Sequence, residues 1–260
     1  MENALTRLMA RGKKNLLNIF FTAGYPNLGD TGKILQGLQE GGVDVIELGI
    51  PFSDPLADGP TIQESSSVAL DNGMNIEVLF QQLKNYVQEH GAFQVPVLLM
   101  GYLNPVLQFG IKDFCERASR VGVAGVIVPD LPLELYQEEF QETFEQHNLS
   151  NILLVTPRTS EKRLRQIDAA STGFIYAVSS ASTTGTGAIF SADVYLERLA
   201  GMQLKSPILV GFNIKTAADV AAAGKHVDGA IIGSEFIRQL ARSTDVRATS
   251  KAFVQQLRTS

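Results

Sequence analysis

Eight short apolar runs recur along the 260-residue chain, separated by stretches in which apolar positions return about once per helical turn. The first four are NLLNIFFTAG (15–24), EGGVDVIELG (40–49), VPVLLMG (95–101) and VGVAGVIVPD (121–130). The others are NILLVTP (151–157), ASTGFIYAVS (170–179), SPILVGF (206–212) and KHVDGAIIGS (225–234). None alternates apolar with polar residues, which marks strands buried on both faces of a parallel sheet. Between them, Ile34, Leu35 and Leu38 share helical spacing, as do Val78, Leu79, Leu83 and Val87. Phe140 with Phe144 and Leu164 with Ile167 do the same, and Ser160 followed by Glu161 reads as a capped helix start.

This alternation predicts an α/β fold, a single-domain (β/α)8 TIM barrel with extra helices over residues 1–260. The competing architecture is an open doubly wound sheet, which usually carries a tight Gly-rich turn after its first strand. Here the first run leads into TAGYPN (22–27), which reads as an open loop. No linker-like stretch divides the chain.

Composition narrows the picture. The chain is 45% hydrophobic and 19% charged, with 22 basic and 27 acidic residues and a net charge of −5. That balance argues against nucleic-acid binding, although backbone amides can still hold a single phosphate. Cys115 is the only cysteine, so no internal disulfide is possible, and a reducing cytoplasm fits. Lys13 and Lys14 ahead of Leu16–Phe21 imitate a secretory signal, but Asn18 interrupts the apolar run, which reads as a buried strand. No apolar segment approaches the roughly 20 residues of a membrane span. The reading is a cytoplasmic protein without a membrane partner.

In a barrel, catalytic groups stand at the C-terminal ends of the strands and in the loops that follow. On that rule the candidates are Glu47, Tyr102, Asp130 and Tyr176. Glu47 follows Val45 and Ile46 and precedes Leu48; desolvation there would raise its pKa and suit it to acid–base work. A structural Glu paired with a distant cation is the alternative. Asp54 and Asp58 lie in DPLADGP (54–60), a sequence equally at home in a plain turn. Spacing leaves Asp58 open between catalyst and turn residue.

Gly-rich loops at TTGTG (183–187), GFN (211–213) and GSE (233–235) follow the last three strands, and the last opens a helix whose N-terminal amides suit an anion. Together they predict a phosphate site, which barrels frequently place after strands 7 and 8. GTGAIF (185–190) lacks the third Gly of a dinucleotide fingerprint, and there is no GxSxG, P-loop or Cys/His cluster. His90, His147 and His226 are far apart and are expected on the solvated opposite rim. No metal is expected.

ELGIPFSDPLADGPTIQ, seventeen consecutive residues at 47–63, resembles the signature of the tryptophan synthase α subunit family. The similarity continues through FFTAGYP (20–26), LLMGYLNP (98–105), GVIVPDLPLE (125–134), TTG (183–185), GF (211–212) and IGS (232–234). The resemblance implies a lyase that splits indole-3-glycerol phosphate into indole and glyceraldehyde 3-phosphate without a cofactor of its own. It implies a β-subunit partner carrying pyridoxal phosphate, in an α2β2 heterotetramer that receives indole through a tunnel.

Carried over residue by residue, Glu47 resembles the general acid–base and Asp58 the carboxylate that supports the indole N–H. Phe20, Met100, Tyr102, Asp130, Tyr176 and Thr184 match substrate-binding positions, Thr184 on a loop that closes toward the aspartate. Gly185, Asn213, Gly233 and Ser234 match phosphate contacts, and Asp54 lies where the family meets the β subunit. The closing loop departs from the family's S-x-x-G-V-T-G, with Ser182 for Gly and Thr183 for Val. Asn213 likewise replaces the second Gly of G-F-G-I. A second reading of the same resemblance is a catalytically weak barrel that mainly activates the β subunit, against which the intact Glu47 and Asp58 count. A third, another phosphate-binding barrel such as an isomerase of the same pathway, is set aside by the 47–63 match.

Overall fold

Each of the eight apolar runs forms a strand, and the reason is visible in the first. All seven residues of Leu16–Thr22 (β1) are buried, so both faces of the strand need cover. The others are Val45–Gly49 (β2), Val97–Met100 (β3), Gly125–Ile127 (β4), Ser150–Val155 (β5), Ile175–Val178 (β6), Ile208–Gly211 (β7) and Gly229–Ile232 (β8). They pair in parallel in sequence order, and β8 returns to β1, with Leu16 opposite Gly229 and Ile19 opposite Ile232, to close the barrel. The computed structural model describes residues 2–56, 58–178, 192–211 and 214–259.

The closed barrel sorts side chains by parity. Leu17, Ile19 and Phe21 of β1 and Ile46 and Leu48 of β2 face outward into the large core beneath the helices. Leu16, Val45, Leu98, Ile127, Ile152, Tyr176, Leu209 and Ile231 form a second cluster inside the barrel. Inward positions on β1 and β2 therefore also include Asn18, Phe20 and Glu47. The helices follow the sequence pattern. Ile34, Leu35 and Leu38 are buried on Thr31–Gly41, and Leu79 and Leu83 on Ile76–His90. The Ser160 hydroxyl accepts from the Arg163 amide at 3.3 Å, starting the helix Glu161–Ala170.

The N-terminal rim is sealed and structural. The helix Ala4–Ala10 buries Leu5 and Met9 against the interior cluster. Its cap, Asn3, donates to the Ala124 and Asn148 carbonyls and to Ser150 Oγ. Asp44, just before β2, is buried; it accepts from the Leu17 amide at 2.8 Å and pairs with Lys13 and Arg258. Asp228, before β8, accepts from the Ile208 amide and pairs with Lys14. The carboxylates at this end tie strands and helices together, which leaves the opposite end for chemistry. All three histidines also lie toward this rim; His90 is exposed, while His147 and His226 are half-buried in the turns before β5 and β8.

Candidate active site

Glu47 is the third residue of β2, paired in register with Phe20 on one side and Leu98 on the other. Parity turns it into the barrel, where it is 0% exposed. Asn18, two residues before Phe20 on β1, donates from Nδ2 to Glu47 Oε1 at 2.5 Å. Burial pushes the Glu47 carboxyl up to about 8, with the Asn18 bond pulling the other way. No cation pairs with it among the described residues. A carboxyl held near neutrality in this way can both give and take a proton at physiological pH.

Two glycines make room for the rings around it. A Cβ at Gly49 would lie 2.6 Å from the Phe20 ring, and one at Gly211 would lie 2.7 Å from the Tyr176 hydroxyl. Tyr176 is buried, and its hydroxyl is held well above the usual tyrosine range by burial and by the charges of Glu47 and Asp58. Tyr176 thus stands within electrostatic reach of both carboxylates.

Asp58 sits in the loop between β2 and the helix Pro60–Asp71. Pro60 opens that helix after an extended Gly59, so the loop ends abruptly at the cavity wall. Asp58 Oδ2 accepts from the Tyr102 hydroxyl at 3.0 Å, and Phe52 stacks on the Tyr102 ring at 5.2 Å. Burial raises the Asp58 carboxyl, with the Tyr102 bond acting in the opposite direction. Asp58 is thus held by a side chain from the next strand's loop, which an isolated turn would not provide.

The strands' C-terminal mouth opens into a cavity of about 870 Å³. Phe20, Met100, Tyr176, Leu154 and Ile231 give it apolar walls, and Asp58 stands at one side. Gly233 and Ser234 also line it at the start of the helix Ser234–Ala241, whose amides offer an anion site. Lys215 and Arg238 line the same end. Arg238 is committed to Glu235 Oε2 through Nε at 3.0 Å and Nη2 at 2.7 Å. An apolar chamber lined by both a carboxylate and a helix N-terminus suits a small apolar molecule bearing an anionic group.

Of the residues expected from the sequence, Phe20, Met100, Tyr176, Asp58, Gly233 and Ser234 surround this one cavity. Tyr102 lines a narrower recess that shares Phe20, Asp58 and Met100 with it. Glu47 lies inside the barrel beside Phe20, turned toward Asn18. Asp130 is exposed, and its Oδ1 accepts from the Leu103 amide at 2.9 Å, joining the loops after β3 and β4. Asp54 is exposed in the loop after β2, beside an 89% exposed Leu56. Thr184, Gly185 and Asn213, with the departures at Ser182 and Thr183, lie outside the described residues.

Sequence reasoning treated Asn18 only as a break in an apolar run. The signal was there: an amide inside a strand buried on both faces needs a polar partner. Lys215 was also passed over. Among the described residues no group of three or more His, Cys, Asp or Glu could hold a metal ion.

Fold and site together define a (β/α)8-barrel enzyme equipped for acid–base work on a small apolar substrate with an anionic end. The sequence profile of the tryptophan synthase alpha chain matches residues 5–259. The tryptophan synthase alpha chain of Flavobacterium psychrophilum is 52% identical over 87% of this chain and 89% of its own length. That of Flavobacterium johnsoniae is 49% identical over 93% and 94%. The solved tryptophan synthase alpha chain of Legionella pneumophila superposes with a TM-score of 0.85 at 33% identity, covering 99% of this chain and 97% of that one. The chain belongs to the tryptophan synthase alpha chain family. Its activity is that of a lyase of tryptophan biosynthesis, cleaving indole-3-glycerol phosphate to indole and glyceraldehyde 3-phosphate.

Proposed function

We propose that Glu47 and Asp58 divide the proton and charge work of this cleavage, within one barrel domain spanning residues 1–260. The reaction breaks the bond between indole C3 and the glycerol chain. Glu47, as the acid, delivers its proton to C3, leaving positive charge on the ring nitrogen. The resulting carboxylate takes the proton of the adjacent glycerol hydroxyl; the O–H electrons form the aldehyde, and the C–C pair returns to the ring. Glu47 ends as the acid again. Asp58 accepts from the indole N–H and stabilises the charge while it is there.

Phe20, Met100 and Tyr176 hold the indole, with Tyr102 keeping Asp58 in place and Asp130 acting through the loop it anchors. Thr184 joins them in binding the substrate. Gly233 and Ser234, with Gly185 and Asn213, hold the phosphate. The observation that carries this reading is the pairing of a buried carboxyl, held near pH 8, with a second carboxylate in the wall of the adjoining cavity.

The partner in this reading is the β subunit, in an α2β2 assembly, and pyridoxal phosphate belongs to that subunit and not to this chain. Exposed Asp54 and Leu56 in the loop that carries Asp58 support a contact there that also reaches the site. The compartment is the cytoplasm; no helix among the described residues is long and apolar enough to cross a membrane. The test is indole release from indole-3-glycerol phosphate, with and without the β subunit. Indole from the chain alone, accelerated by the partner, is the expected result; none from either mixture would overturn the catalytic assignment. Acceleration of β-subunit turnover with no cleavage would favour a mainly activating role.

A further inference from the structure

Two polar groups inside the barrel meet with one hydrogen bond made and two acceptors left over. Asn18 Nδ2 donates to Glu47 Oε1, while Asn18 Oδ1 and Glu47 Oε2 are both buried without a partner. Both residues are 0% exposed, so water does not satisfy the orphans at the surface. Ionised, Glu47 offers only acceptors, and Oδ1 has nothing to take from it. One proton on Oε2 changes this: the carboxylic acid now has an O–H donor, and the amide beside it has a free carbonyl. An amide is the side-chain group that presents a donor and an acceptor in one plane, so it can serve both states of a carboxyl.

We propose that Asn18 is the positioning residue of Glu47, donating through Nδ2 to the carboxylate and, once Oε2 is protonated, accepting that proton's hydrogen bond through Oδ1. The inference rests on the assignment of Glu47 as acid–base, and it names what keeps that group in register through both halves of the proton cycle. The other groups facing the pair are few. Leu98 on β3 is apolar, and Tyr176 on β6 is the titratable group that feels Glu47. Asp58 also reaches Tyr176, and no cation intervenes among the described residues. A leucine at position 18 would have been the ordinary choice for this interior position, since its register partners on the neighbouring strands, Val45 and Ile231, are apolar.

The sign of the effect follows from the two bonds. A hydrogen bond to an ionised acceptor is roughly twice as strong as one between neutral groups. Removing Asn18 therefore harms the carboxylate more than the acid, and Glu47 becomes a weaker acid. The experiment compares the full-length parent with Asn18→Leu, and with Asn18→Ser, too short to reach Glu47, should the leucine variant fail to fold. The Glu47 carboxyl carbon is followed by 13C NMR across pH, its signal assigned by its loss in Glu47→Gln. In parallel, kcat/KM for indole release is measured across pH, since that ratio reports groups of the free enzyme.

The expected result is an upward move of about one pH unit in both profiles, a roughly tenfold change in proton affinity, with the fold retained by circular dichroism. A rise of about half a unit or more supports the proposal; a smaller rise, no change or a fall overturns it. If the parent itself releases no indole, the catalytic reading fails, while the carboxyl titration still decides whether Asn18 governs Glu47.

Discussion

The Tyr102 hydroxyl donates to Asp58 Oδ2 at 3.0 Å, so a residue that follows β3 holds the carboxylate on the loop that follows β2. Phe52 stacks on the same ring, which fixes the phenol's direction. Removing the hydroxyl with Tyr102→Phe takes a donor from the charged form, so the Asp58 carboxyl rises further. The acid limb of kcat/KM should move upward, and kcat/KM at neutral pH should fall by about tenfold, the scale of one lost bond to a charged group. A pH–rate profile of the variant matching the parent's would disconnect Tyr102 from catalysis.

Glu47→Gln keeps the shape of the carboxyl and removes its proton chemistry. Indole release should fall by about 100-fold or more, the usual scale for losing a general acid–base. Binding of a non-cleavable indole phosphate should stay within about threefold, because Glu47 serves the reaction more than the ground state. Calorimetric titration of the variant with such an analogue checks the second half; weakened binding in step with lost turnover would make Glu47 a binding residue instead.

Stability should depend on pH through the same group. The Glu47 carboxyl lies at about 8 in the folded chain against an ordinary value of 4.5. Between those limits the folded state keeps a proton that the unfolded state has released, so stability declines as pH rises and levels off above about 8. The slope for one proton is at most on the order of 1.4 kcal/mol per pH unit. Urea unfolding at several pH values should show this decline in the parent and a flatter profile in Glu47→Gln. Parallel profiles would mean that Glu47 titrates normally.

Gly49 ends β2 beneath the Phe20 ring. A methyl group there would sit 2.6 Å from Phe20 Cζ, so Gly49→Ala must displace that ring, which lines the cavity. Overpacking of this kind costs about 1–3 kcal/mol. Thermal unfolding should show that loss, and KM for the substrate should rise. A variant with parental KM would show that Phe20 can yield without narrowing the cavity.

Asp44 belongs to the other rim and should affect stability alone. It is buried, accepts from the Leu17 amide and pairs with Lys13 and Arg258. Asp44→Ala leaves the amide and part of the positive charge uncompensated, at a cost of about 3 kcal/mol. Denaturant midpoints should drop while kcat of the remaining folded enzyme holds; a specific loss of kcat would contradict the division between rims.

Most of the architecture was legible in the chain, because a strand buried on both faces advertises itself by an unbroken apolar run and a helix by its period. Leu16–Thr22 and Val45–Gly49 fall within the runs expected for them, and Ser160 caps the helix its sequence announces. Glu47 was legible for a related reason: a carboxyl amid Val45, Ile46 and Leu48 has to be desolvated wherever the strand goes. Asp58 was legible only through the family resemblance of 47–63, since Asp-Gly-Pro by itself makes a turn with or without a function. Its bond to Tyr102 joins residues 44 positions apart, and only the parallel pairing of β3 on β2 brings them together. Asn18 shows the same limit more sharply. Sequence alone determined that an amide and a carboxyl would each be buried in separate strands; the parallel register of β1 on β2 decided that they would face each other. Local pattern reports what a residue must avoid, whereas the partner it finds is a property of strand pairing, which no single segment contains.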